Sequence, residues 1–132
     1  MSKIGLFDQT VALLSKTLDL RMQNQEAIAS NIANVETPGY NAVHLEFEKG
    51  LKQALSEAQN AAANPSGGDA PFARVQARVV RTNDGAAIGD KNGVNLDKEM
   101  TSLAENQLLY DAATQMVSKK LGMLRYVVQE TK

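Results

Sequence analysis

The stretch "NIANVETPGY", residues 31–40, decides how the chain divides. Asn31, Ile32, Ala33 and Asn34 read as the end of a helix, and Thr37, Pro38 and Gly39 as a stop followed by a turn. Pro38 disfavours helical geometry at the residue before it. Pro38 and Gly39 fit positions i+1 and i+2 of a type II turn that closes at Tyr40. Asn34 suits the helix end because Asn tolerates the left-handed conformation there. Asn31 lies one turn earlier, so the two amides share a face. They are placed to bond helix-end carbonyls, the turn or another subunit.

Upstream of the break, apolar or long side chains recur at Phe7, Val11, Leu14, Leu18, Arg21, Gln25, Ile28 and Ile32. Their spacing alternates four and three, which is a coiled-coil seam. A second stripe, Leu6, Leu13, Leu20 and Ala27, runs beside it. No Pro or Gly lies between Leu6 and Thr37. The spacing predicts one long helix over about 7–34.

The far end of the chain mirrors this pattern. From Leu96 the seam is Met100, Leu103, Gln107, Tyr110, Thr114, Val117, Leu121, Leu124 and Val128, with a second stripe at Leu109, Met116 and Met123. Asn95 or Asp97 can cap the start, and Asp97 and Glu99 suit the positive end of the helix dipole. Gly122 is the one weak point, costing about 1 kcal/mol relative to Ala.

The middle is less regular. Phe47, Leu51, Leu55, Ala58 and Ala62 recur at close to four-residue intervals, which predicts a shorter helix over 44–62. "NPSGGDAP" (64–71) is a linker by composition. "RVQARV" (74–79) alternates polar and apolar, as a short half-buried strand does. "NDGAAIGDKNGVN" (83–95) reads as a Gly-rich loop.

Composition narrows the function classes. The 132 residues are 43% hydrophobic but only 5% aromatic, without Trp, so the core is built of aliphatic side chains and favours helix packing. A net charge of −1 without a Lys/Arg block gives no electrostatic footprint for nucleic acid or a membrane surface. The absence of Cys removes disulfide and thiolate chemistry. No run approaches the length of a membrane span, and the start "MSKIGLFDQT" is interrupted too early by Asp8, Gln9 and Thr10 to be a cleavable signal. His44 is the one histidine, with Glu46 and Glu48 nearby, but no metal-ligand spacing is available and a solvated or locally bonded role fits better. "GDKNG" lacks the alternating acidic ligands of a calcium loop. No catalytic constellation and no cofactor motif is legible.

A helix with two adjacent stripes needs a partner on each side. Two readings satisfy both terminal helices: a self-contained bundle in which the middle helix covers the second stripes, or packing completed by neighbouring chains. The polar seam positions Arg21, Gln25, Gln107 and Thr114 either fix register and partner choice or face solvent where the helices splay.

"ASNIANVETPGY" (29–40) resembles the signature of the flagellar basal-body rod and hook proteins, with matches at Asn31, Ile32, Ala33, Asn34, Thr37, Pro38, Gly39 and Tyr40. It departs at Val35-Glu36, where a smaller residue followed by Asp, Asn or Ser is more usual. "GVNLDKEMTSLAENQLLYDAATQMVSKKLGMLR" (93–125) is similar to proximal rod proteins of the FlgB type. Short length agrees, since hook and distal rod proteins carry larger inserted domains.

The resemblance implies a mainly α fold in which the N- and C-terminal helices pair antiparallel as a coiled coil. The residue pattern of the middle adds a short helix and an irregular segment with a short β strand. The expected segments are 1–40, 41–63, 64–94 and 95–132. The resemblance further implies a structural, non-enzymatic rod subunit in the periplasmic part of the basal body, exported by the flagellar type III system. The implied partners are copies of itself, other rod proteins, the protein joining rod to MS ring, and the export gate. Residues 31–40 would then lie at subunit contacts. A cytosolic helical binding module or export chaperone would use the same stripes, but has no need of "NIANVETPGY"; a neighbouring rod protein is the alternative within the class.

Overall fold

The computed structural model describes residues 3–63, 71–83 and 93–131, with the side chains of 3–8, 62 and 63 outside the description. In chain order it contains α1 (Lys3–Ala33), β1 (Ala42–Glu46), α2 (Glu48–Ala63), a 3-10 turn (Pro71–Arg74), β2 (Arg78–Thr82) and α3 (Leu96–Glu130). The two long helices pack against each other, and the middle elements gather on one flank of α1.

The pairing of α1 with α3 is antiparallel. Asn31 meets Glu99, and seven residues back along α1, Asn24 meets Asn106, seven residues forward along α3. Along α1, Leu14 and Ile28 are buried, and Val11, Leu18, Arg21, Gln25 and Ile32 are half-buried. Phe7 falls outside the described side chains. The second stripe of α1 faces the other way. Leu20 is buried in a core with Phe47, Ala54, Ala58, Phe72 and Val75, and Leu13 packs against it. The middle segments therefore cover Leu13 and Leu20 of the second stripe from within the chain, while the side chain of Leu6 lies outside the description.

The seam of α3 differs from its sequence reading. Leu103, Tyr110, Val117 and Leu124 are half-buried, but Met100, Gln107, Thr114, Leu121 and Val128 are exposed. The buried positions lie one residue earlier, at Glu99, Asn106 and Ala113. Both sets alternate four and three with the same half-buried residues, so periodicity alone cannot separate them. Hydropathy favours the set that turns outward, because the buried one is polar or small.

Two middle assignments also change. The helix expected from residue 44 begins at Glu48, and residues 42–46 form a strand instead. Val43, His44 and Leu45 suit an extended chain, and Pro38-Gly39 brings them alongside the end of α1. The strand expected over 74–79 lies at 78–82, preceded by the 3-10 turn over 71–74. β1 and β2 pair antiparallel, Val43 opposite Arg81. The expected linker 64–71, apart from Pro71, lies outside the described residues, as does the loop before Gly93, apart from Asn83.

Asn95 caps α3, its side-chain oxygen accepting the Lys98 N–H at 3.2 Å, with Asp97 and Glu99 in the first turn. Beyond Ala113, α3 runs on with most of its surface exposed. Leu108, Leu109, Met116, Leu121, Met123, Val127 and Val128 are all more than two-fifths exposed. Tyr126 is also exposed and donates to Glu130 at 2.7 Å, a bond that raises its phenol pKa above the usual value. Contiguous exposed apolar area of this kind marks an interaction surface.

Candidate functional site: the junction at the end of the first helix

The turn after α1 has the geometry its residues require. Tyr40 N–H bonds the Thr37 carbonyl at 3.3 Å, and Gly39 has φ +74°. Among the described residues no non-glycine has a positive φ. Asn34 therefore does not end the helix in a left-handed conformation. It works through its side chain: Nδ2 donates to the Ser30 carbonyl at 2.8 Å, and Oδ1 accepts the Thr37 hydroxyl at 3.1 Å. One amide satisfies a helix-end carbonyl and ties the turn to the helix, which is what a helix terminus needs.

Asn31 is the hub of the junction. Its side chain is fully buried, and all four of its hydrogen-bonding positions are used. Nδ2 donates to the Val43 carbonyl at 2.8 Å and to Glu99 Oε2 at 3.0 Å; Oδ1 accepts from Val43 N–H at 2.8 Å and from the Tyr40 hydroxyl at 3.2 Å. An asparagine amide offers two donors and two acceptor positions, so this one is saturated. Both backbone groups of Val43 thus face away from β2. In an antiparallel ladder that makes Val43–Arg81 a non-hydrogen-bonded pair. The Asn31 amide occupies the place that a third strand would take along β1.

Glu99 is legible in the sequence only as a favourable charge in the first turn of α3. It is fully buried; Oε2 is bonded to Asn31 and Oε1 lies 3.8 Å from His44 Nε2. His44, half-buried on β1, thus has a local carboxylate neighbour. No group of three or more potential metal ligands occurs among the described residues. Gly93 closes the junction from the other side. It bridges Asn41 in parallel, and a Cβ there would lie 1.9 Å from the Tyr40 carbonyl oxygen. Only glycine permits that approach.

A second polar layer sits one heptad along. Asn106, almost fully buried, donates to the Arg21 carbonyl at 2.9 Å and to Gln25 Oε1 at 2.8 Å, and accepts from Asn24 Nδ2 at 3.0 Å. Arg21 itself turns toward α2. Its guanidinium lies 3.0 Å from Glu48 and 4.9 Å from the centre of the Phe47 ring. Of the four polar positions expected on the seams, Gln25 is engaged there by its side chain and Arg21 only by its carbonyl. Gln107 bonds Asp111 and Thr114 bonds the Tyr110 carbonyl, both on the exposed face.

The expected contact residues separate accordingly. Asn31 has no surface left for a neighbouring chain, because its partners are all internal. Ile32, Asn34 and Tyr40 are half-buried, whereas Ala33, Thr37, Pro38 and Gly39 are exposed.

A family model described as flagella basal body rod protein matches residues 14–41, the greater part of α1 together with the turn. The flagellar basal body rod protein FlgB of Bacillus subtilis is 30% identical over 125 residues, covering 95% of this chain and 97% of that protein. The chain belongs to the FlgB family of flagellar basal-body rod proteins. The Escherichia coli protein of that name is 30% identical over 139 residues, with 92% of this chain and 94% of that one covered. The Borrelia hermsii protein is 28% identical over 135 residues, covering 96% of this chain and all of that protein. The likeness thus spans both long helices and the middle elements.

Proposed function

We propose that the chain is a structural subunit of the proximal rod of the bacterial flagellar basal body. It assembles with copies of itself and with other rod proteins into the hollow shaft that transmits torque and passes exported subunits. It reaches the periplasm through the flagellar type III route, and its partners include the protein joining rod to MS ring and the export gate. No catalytic step is assigned to it, and no cofactor.

One observation carries the reading beyond family membership: the apolar face of α3 that nothing among the described residues covers. Leu109, Met116 and Met123 recur every heptad on one flank of the seam, and Leu121 and Val128 on the other. The equivalent stripe of α1 has an internal partner at Leu13 and Leu20, and among the described residues this one has none. Side-by-side packing of neighbouring chains buries it. The exposed outer edge of the turn, Thr37 to Gly39, supplies a second contact.

The test is electron cryomicroscopy of basal bodies from cells carrying the wild-type chain and from cells expressing Leu109→Glu/Met116→Glu. The wild type is expected to show helical density for α1 and α3 in the proximal rod, with α3 stripes facing adjacent subunits. The variant is expected to be made and exported but missing from the rod. A variant that builds a normal rod removes the assigned role of the α3 face.

A further inference from the structure

We infer that the outer edge of β2 is a docking surface for an extended, acidic segment of another protein, which adds to the sheet as a further strand. This surface is separate from the apolar face of α3, and the inference does not rest on a place in the rod.

The two edges of the sheet differ. Among the described residues only β1 and β2 pair. On the β1 side, the Asn31 amide takes both the N–H and the carbonyl of Val43, so no strand can be added at that point. The same two bonds fix what β2 presents. They make Val43–Arg81 a non-hydrogen-bonded pair, and the two kinds of pair alternate along an antiparallel ladder. Arg78, Val80 and Thr82, opposite Glu46, His44 and Ala42, therefore bond to β1. The backbone groups of Val79 and Arg81 face outward instead, and among the described residues nothing bonds to them. Outward N–H and carbonyl groups in a row are a template for a further strand.

Charge and hydropathy choose the occupant. Arg81 is exposed, and no carboxylate pairs with it among the described residues. The Arg78 side chain is 80% exposed and lies 3.9 Å from an exposed Glu46, a pair that water largely screens. Between the arginines, Val79 is 58% exposed. Opposite charges attract across neighbouring strands and like charges repel. Two β2 edges set together bring two arginines from each strand and no acid, so the surface rejects a second copy of itself. An antiparallel segment reading Glu-Val-Val-Glu places one acid opposite Arg81 and the other opposite Arg78. Its central valines lie opposite Val80 and Val79 and cover the exposed one.

The probe is a short synthetic peptide with the core Glu-Val-Val-Glu, added to the full chain and followed by amide hydrogen exchange in NMR spectra. Binding is expected to slow exchange at Val79 and Arg81 and to leave Val80 and Thr82, already bonded to β1, unchanged. Val79→Pro, which removes one outward N–H from an edge that tolerates proline, is expected to abolish binding, whereas Val79→Thr keeps it. Arg81→Glu is expected to weaken binding roughly fivefold and to prefer by a similar factor the peptide whose matching Glu is replaced by Lys. No binding of the acidic peptide at millimolar concentration overturns the inference, because the arginines then only guard the edge. Binding without slower exchange at Val79 and Arg81 overturns it, as does undiminished binding by Val79→Pro. Equal binding of the Glu and Lys peptides by the wild-type chain removes the acidic preference and overturns it too.

Discussion

Replacing Asn31 with Asp keeps the shape of the side chain and reverses its hydrogen bonding. The amide nitrogen donates to the Val43 carbonyl at 2.8 Å and to Glu99 Oε2 at 3.0 Å. In Asn31→Asp an oxygen faces both acceptors, and a second carboxylate stands against a buried first one. Losing a buried hydrogen bond and orphaning its acceptor costs about 1–3 kcal/mol. Two such losses give roughly 2–6 kcal/mol, and the charge repulsion is relieved only if one carboxyl takes up a proton. That is a large part of the roughly 5–15 kcal/mol that holds a domain together. Glu99→Gln alone leaves an oxygen to accept from Asn31 and should cost about 1 kcal/mol. In the double variant Asn31→Asp/Glu99→Gln, the new amide can donate to the new carboxylate, which restores one bond across the pair and removes the repulsion. The double-mutant cycle should therefore show a favourable coupling of about 1–3 kcal/mol. Urea unfolding followed by circular dichroism, with equal slopes for all four proteins, measures it. Additive single effects, or an Asn31→Asp protein within about 1 kcal/mol of wild type, would refute the hub assignment.

Two glycines should respond differently to alanine. Gly93→Ala drives a Cβ into the Tyr40 carbonyl and should lower stability by about 2–4 kcal/mol in the same urea assay. Gly39→Ala meets no atom within 4 Å and bears only the cost of its positive φ, about 1–2 kcal/mol, with Gly39→Val worse than Ala. Arg21→Ala removes the stacking on Phe47 and an ion pair whose Glu48 partner is exposed, so its cost should stay near 1–2 kcal/mol and shrink little in high salt. Spectrophotometric titration of Tyr126 should give a phenol pKa lower in Glu130→Gln than in wild type, because the bond to a charged carboxylate is what raises it.

How far the fold can be read from sequence depends on which signal each part carries. The long helices are legible because a heptad pattern persists over many turns, and the type II turn because Pro-Gly admits few geometries. The cap at Asn95 is legible from residue type and place. β1 is hidden because Phe47, Leu51 and Leu55 set a helical period that runs backward over Val43 to Leu45 without interruption, while the partner that makes this segment a strand includes an amide on α1. Sequence places the α3 seam one residue late because Glu99 and Asn106 are the last residues hydropathy would bury. Their burial follows from Asn31, Asn24 and Gln25, and no local pattern reports pairs so distant in the chain. Residue type points to Asn34 at the helix end, but its side chain rather than its backbone does the capping.

The reach of the Asn31 amide bears on when the fold can close. Its partners lie 12 residues onward at Val43 and 68 onward at Glu99. Chain closure over the longer span comes late, since its entropy cost must be met before the distant contact returns anything. As the chain is synthesised, α1 emerges long before the carboxylate that completes its terminus. Until α3 begins, the first helix depends on its own propensity and on the middle segments, and helices without full packing are marginal in water. The clasp that unites the finished molecule is thus absent from every chain that stops short of Glu99, which leaves a nascent chain of that length easy to unravel.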